Sequence, residues 1–343
     1  MRWRSFGRSG LKVTELCLGT MTLAGQADEK TSFAILDAAW AGGIRFLDTA
    51  DCYPIPLELA TTGQTESLLG RWMKERKNRD ELVIATKGYF QMGTLPTQRG
   101  NSRLHLAHAC DASLQRLGTD RIDLYLCHGW DPTVPVEETI GTLEDLRRAG
   151  KILYYGFSNV RAPEVTACLL AAERMGVAGI AGIQPRYNVL YRELEDLLFP
   201  LARSQRLGIM VYNPLAGGLL TGKHRPGTAP AEGTRFTLGS SGDTYRARYW
   251  KDQLLSEAVA LDTAARKHGV SLVTAAVAWT IANPDISSAI IGVSRPDQLQ
   301  AQLEAIEIRI PDDLKRELDA AWYRLPRMPM EGDPRIADFH EEV

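Results

Sequence analysis

Short β-branched runs bounded by Gly, Asp or Asn alternate along the chain with longer segments of helical period, the pattern of repeated βα units. The runs are TELCLG, IRFLD, ELVIATK, IDLYLCH, YYGFSN, GIAGIQ, GIMVYN and SSAIIG, and they predict eight strands. Between them, TSFAILDAAWAG, TESLLGRWMKER, RLHLAHACDASLQRLG, VEETIGTLEDLRRAG, APEVTACLLAAERMG and LEDLLFPLARSQRLG carry an apolar stripe, and most end in Gly or a basic turn, as helix C-termini do. Eight repeats predict a closed (β/α)8 barrel, with an open doubly wound sheet as the alternative. Ahead of the first strand, WRSF and LKVT flank GRSG, a hairpin expected to close one end of the barrel. The whole chain, 1–343, is expected to form one domain.

The last residues of successive strands are Asp48, Lys87, His128, Ser158 with Asn159, Gln184 and Tyr212. Helix capping accounts for a single Asp or Ser at such a place, but not for Lys, His, Gln and Tyr together. In a barrel these ends converge on the C-terminal mouth, where barrel enzymes place their chemistry. IRFLDTADCY adds Tyr53 just beyond Asp48. A free phenol has a pKa near ~10 and donates its proton poorly at neutral pH, but a neighbouring ammonium lowers that value. Lys87 would supply the charge, Asp48 would keep it protonated, and His128 would orient a carbonyl oxygen. Such a set is a proton donor with an oxyanion clamp and no activated nucleophile, which suits reduction of a carbonyl by an external hydride.

Composition narrows the partners. Forty Lys plus Arg against 42 Asp plus Glu leave a net charge of −2, which offers neither a nucleic-acid footprint nor a polybasic membrane anchor. Neither the N-terminus MRWRSFGRSG nor LVTAAVAWTIA has the apolar length of a signal core or a membrane span. Cys17, Cys52, Cys110, Cys127 and Cys168 lack metal-type spacing and read as reduced thiols in a cytoplasmic protein. His105 and His108 lie three apart on one helix but lack a third ligand, so they read as solvated surface and no metal is expected.

The motifs LDTADCY, IATKG, IDLYLCHGWD, GFSN, IQPRYN, YNPLAGGLLTGK and IIGVSRPDQL make the chain resemble the aldo-keto reductase superfamily over nearly its full length, in the branch of potassium-channel β-subunits and aryl-alcohol dehydrogenases. The resemblance implies that Asp48, Tyr53, Lys87 and His128 form a catalytic tetrad and that NADP(H) lies over the barrel mouth without a Rossmann glycine fingerprint. It further implies that Ser158, Asn159 and Gln184 hold the carboxamide and Tyr212 stacks on the nicotinamide ring. The segment Leu215 to Lys223, with Gly217, would cross the pyrophosphate. Ser294, Arg295 and Gln298 would meet the 2'-phosphate end, and Gln302 the adenine side. The expected partner is a small-molecule carbonyl substrate. PIPLELATTGQTE, residues 54–66, departs from the family pattern and leaves the pocket shape open. Tyr89, Phe90 and Trp130 are candidates for its wall.

Two rivals stand beside this reading. GGLLTGKH matches part of a phosphate-binding P-loop, but His224 takes the magnesium-binding position and RPGTAPAEG follows in place of a helix. The other rival is a non-catalytic NADP(H)-binding, redox-sensing subunit on the same fold. The stretch from Ala216 to Trp250, rich in Gly, Pro, Ser and Thr, reads as a long loop expected to fold over the cofactor.

Overall fold

The structure is a computed structural model and describes residues 1–326; residues 327–343 of the expected single domain lie outside the described residues. The chain divides into two compact units. One comprises Met1–Pro185, Leu194–Tyr212 and Pro284–Leu299, and the other Arg186–Glu193, Asn213–Asn283 and the described residues from Gln300 onward.

The first unit opens with an antiparallel hairpin, β1 (Trp3–Ser5) and β2 (Lys12–Thr14), as the sequence predicts. Eight parallel strands then close into a barrel: β3 (Leu16–Gly19), β4 (Phe46–Asp48), β5 (Val83–Gly88), β6 (Ile122–Cys127), β7 (Ile152–Ser158), β8 (Gly182–Gln184), β9 (Gly208–Val211) and β10 (Ser288–Gly292). The last of these pairs with both β9 and β3, which leaves no open edge. The open-sheet alternative is excluded. Helices α1 (Glu29–Ala41), α2 (Gln64–Arg76), α3 (Arg103–Leu117), α4 (Val136–Arg148), α5 (Ala162–Met175) and α6 (Leu198–Ser204) follow successive strands. Asp28 caps the start of α1 by accepting from the Thr31 amide at 2.8 Å, and Gly118 and Gly176 end α3 and α5 in the left-handed conformation.

Phe6, fully buried beside the hairpin, shares a core with Val13, Cys17, Phe46, Ala85, Leu124, Leu126 and Met210. A Cβ on Gly182 or Gly208 would come within 2.5 Å of the Phe6 ring, so only glycine fits there. The hairpin thus places an aromatic plug in the barrel, and the polar strand ends lie at the other end of the strands.

The helix predicted over residues 194–208 is shorter than expected. A 3-10 turn at Glu193–Glu195 precedes α6, because Pro200 has no N–H for the Asp196 carbonyl and the helix cannot extend back past Leu198.

The second unit carries α7 (Gly239–Tyr249), α8 (Asp252–Lys267), α9 (Leu272–Ala282) and, after α10 (Leu299–Leu303), α11 (Asp312–Arg324). The expected loop from Ala216 to Trp250 is therefore corrected: it contains 3-10 turns at Ala216–Thr221 and Arg235–Thr237, and α7. Glycines and serines hide this helix in the sequence, while Tyr245 and Tyr249, one turn apart and buried, stack at 6.5 Å and anchor it. RPGTAPAEG forms no helix, so the P-loop geometry is absent. No helix among the described residues is long and apolar enough to cross a membrane, and none of their His, Cys, Asp and Glu clusters could hold a metal.

Candidate active site

Side chains alternate along β5, so Ala85 and Lys87 face the barrel interior while Thr86 faces outward to α2. Lys87 is fully buried, and an isolated ammonium there would be costly. Two acceptors compensate it: Asp48 Oδ2 and the Thr49 carbonyl each accept from Nζ at 2.7 Å. Burial pushes the Asp48 carboxyl upward, and Lys87 and then Gln184 oppose that shift. Tyr53 lies above this pair, with Lys87 Nζ 5.1 Å from its ring centroid. The His128 ring stands edge-on to Tyr53 at 5.8 Å, just past the end of β6.

The same carboxylate reaches across the barrel. Asp48 Oδ1 accepts from Gln184 Nε2 at 2.7 Å. Ser158, paired in register with Gln184, donates its hydroxyl to the Gln184 carbonyl at 2.9 Å and to Oε1 at 3.3 Å. Asn159 adopts φ 57°, a left-handed backbone that Asn tolerates, and its Nδ2 donates to the His128 carbonyl at 2.8 Å. Tyr212 closes the run by donating to Asn159 Oδ1 at 2.7 Å. One hydrogen-bonded network thus joins the ends of β5, β4, β8, β7 and β6 and the residue after β9.

A model of the aldo/keto reductase family matches residues 15–323. The chain belongs to the aldo/keto reductase family. It is 33% identical over 311 residues to a probable voltage-gated potassium channel subunit beta of Arabidopsis thaliana, covering 90% of this chain and 92% of that one. It is 32% identical to Protein tas of Escherichia coli over 342 residues, 93% and 97% of the two chains. A putative aryl-alcohol dehydrogenase of Schizosaccharomyces pombe is 30% identical over 351 residues, 93% and 95% of the two.

With the family established, the expected cofactor residues fall into three groups. Ser158, Asn159, Gln184 and Tyr212 are together at the strand ends. Their hydroxyl and two amides both donate and accept, which complements a carboxamide, and the half-buried Tyr212 presents a ring, so this set fits a nicotinamide. Ser294, Arg295 and Gln298 lie after β10. The Ser294 amide donates to Gln298 Oε1 at 2.9 Å, and Arg295 pairs with Asp297 at 3.1 Å. Arg295 precedes a three-residue 3-10 turn, Pro296–Gln298, which runs directly into α10. Leu215, Gly217, Lys223 and Gln302 belong to the second unit. There Gly217 has φ 68°, and a Cβ on it would meet the Tyr245 ring at 2.6 Å; Gln302 is buried.

The candidate wall residues differ from one another. Phe90 stands edge-on to His128 at 4.9 Å. Tyr89 is buried, donates to the Trp130 carbonyl at 3.1 Å and packs where a Cβ on Gly129 would sit, so it supports the wall rather than forming it. His105 corrects the reading of a solvated pair: it is 4% exposed while His108 is exposed, and burial lowers its pKa to about 4.

Several residues near the tetrad carried no legible signal. Glu66 on α2 is fully buried, accepting from Thr86 Oγ1 at 2.5 Å and from Arg116 at 2.7 Å. Asp51 is also buried, and burial, then the Glu66 charge, push its carboxyl well up. Cys52 Sγ lies 3.8 Å from His128 Nδ1. All five cysteines are free and buried. A strand-end pattern finds Asp48 and Lys87, but nothing in it distinguishes these flanking groups from ordinary loop and helix residues.

Proposed function

We propose that the protein is an NADP(H)-dependent oxidoreductase that reduces an aldehyde or ketone to an alcohol. The observation that carries this reading is the fully buried Lys87 ammonium, held by Asp48 and the Thr49 carbonyl beneath the Tyr53 ring. A nicotinamide, when bound, supplies the hydride. Tyr53 donates the proton that the carbonyl oxygen takes up, and the ammonium stabilises the phenolate left behind. Asp48 offsets the cost of burying that ammonium. His128 donates a hydrogen bond to the carbonyl oxygen and fixes it beside the phenol.

Ser158, Asn159 and Gln184 hold the carboxamide in this reading, and Tyr212 covers the ring. Arg295 meets the 2'-phosphate by exchanging its solvent-exposed pairing with Asp297, which a dianionic phosphate outcompetes because surface ion pairs are weak. Five buried thiols suit a reducing cytoplasmic setting.

Loss of NADPH absorbance with a panel of aldehydes, ketones and aryl carbonyls tests the proposal. Turnover of at least one class that ceases in Tyr53→Phe is expected. Likeness to probable potassium channel subunits supports a second reading, a cofactor-binding sensor subunit. Tight NADPH binding with no turnover of any carbonyl would favour it.

A further inference from the structure

The segment after β4 places Cys52 directly before Tyr53, and its sulfur lies 3.8 Å from His128 Nδ1. The His128 backbone is held at both of its polar groups. Its amide donates to the Gly88 carbonyl at 3.0 Å, and its own carbonyl accepts from Asn159. Its ring is fixed between the edges of Phe90 and Tyr53. Which ring nitrogen carries the proton is set by hydrogen bonding rather than by this packing. For a neutral imidazole this matters, because only the protonated nitrogen can donate to a substrate oxygen.

We propose that Cys52 is a positioning residue for His128: its S–H donates to Nδ1 and so holds the ring in the tautomer protonated on Nε2. The burial and the chemistry of the thiol support the direction of this bond. Cys52 is 1% exposed, so its proton has no solvent partner. Burial, and then the Asp51 charge, push its pKa well up, which keeps the thiol protonated. A neutral sulfur is a weak acceptor, so an N–H on Nδ1 would face a poor partner while the S–H went unused. With Nδ1 accepting, Nε2 is the nitrogen that donates. The catalytic consequence of this bond rests on the carbonyl-reductase reading.

The test reads the tautomer directly. In protein labelled with 15N-histidine, long-range proton–nitrogen spectra distinguish the two neutral tautomers, and His128→Gln identifies the His128 signals by their loss. Wild type is expected to show His128 protonated on Nε2. Cys52→Ala should move the His128 nitrogens toward a mixture of tautomers, and Cys52→Ser, which restores a donor, should move them back. Cys52→Val removes the donor while keeping side-chain volume, and replaces Cys52→Ala should the smaller side chain loosen the core. The accompanying kcat for carbonyl reduction should fall roughly fivefold in the variants without a donor, the ratio that one net hydrogen bond of ordinary strength supports, with NADPH affinity unchanged. A wild-type ring protonated on Nδ1, or His128 signals indifferent to loss of the thiol, would overturn the proposal. A protein that reduces no carbonyl yet shows the thiol-dependent tautomer would instead overturn only the reductase reading.

Discussion

Lys87 Nζ and Asp48 Oδ2 lie 2.7 Å apart inside the barrel, both nearly cut off from water. Asp48→Asn leaves a buried ammonium without its counter-charge, and Lys87→Met leaves a buried carboxyl that burial already pushes toward its protonated form. Removing one partner of a buried pair costs about 3 to 5 kcal/mol. Urea unfolding at neutral pH should therefore show both single variants destabilised, with Asp48→Asn/Lys87→Met recovering part of the loss. A double variant whose cost is the sum of the two single ones would contradict a coupled pair.

Tyr53 stands over Lys87, with Nζ 5.1 Å from its ring centroid. Tyr53→Phe is expected to reduce carbonyl turnover at least a hundredfold, the lower range for loss of a general acid, while NADPH binding followed by Trp fluorescence stays close to wild type. Retention of a tenth of the activity would remove Tyr53 from the role of acid.

Arg295 and Asp297 form an exposed pair in the turn after β10. Arg295→Ala should weaken NADPH binding by roughly tenfold, as one charge-assisted contact of about 1.5 kcal/mol implies, and leave NADH binding nearly unchanged. Asp297→Asn should act in the opposite direction, because it frees the guanidinium and removes a like charge from the phosphate. Calorimetric titration of both cofactors checks the pair of outcomes, and parallel losses for NADPH and NADH would assign Arg295 to the fold.

His105 is buried on α3, and burial, aided by His108, lowers its pKa to about 4 from 6.5. The unfolded chain therefore binds a proton that the folded protein does not, so the His105 contribution is complete above pH 6.5 and is lost as pH falls toward 4. His105→Asn should flatten the decline of unfolding free energy across that window by about 1 to 3 kcal/mol. His224, lowered to about 4 by burial and by Lys223, leaves a residual slope. An unchanged slope in His105→Asn would show that other groups govern acid sensitivity.

The sequence by itself determined the barrel, because period-2 runs alternating with period-3.6 stripes are local properties and eight of them leave few closed arrangements. It also determined which strand ends are polar, and so which residues converge on the mouth. Asp48, Lys87, His128, Gln184 and Tyr212 were legible for that reason. Only the tertiary structure decided how they connect. That Gln184 bonds Asp48, that Asn159 bridges His128 and Tyr212, and that Cys52 meets His128 across 76 residues depend on side-chain directions in a closed sheet, which no local pattern encodes. α7 was hidden because Gly239, Gly242 and two serines suppress helical propensity there, while the tyrosine pair that anchors it acts through packing. His105 misled in the opposite sense: its spacing from His108 suggested a shared exposed face, but neighbours one turn apart on a helix straddle the boundary between core and solvent, and packing alone set which of them was buried.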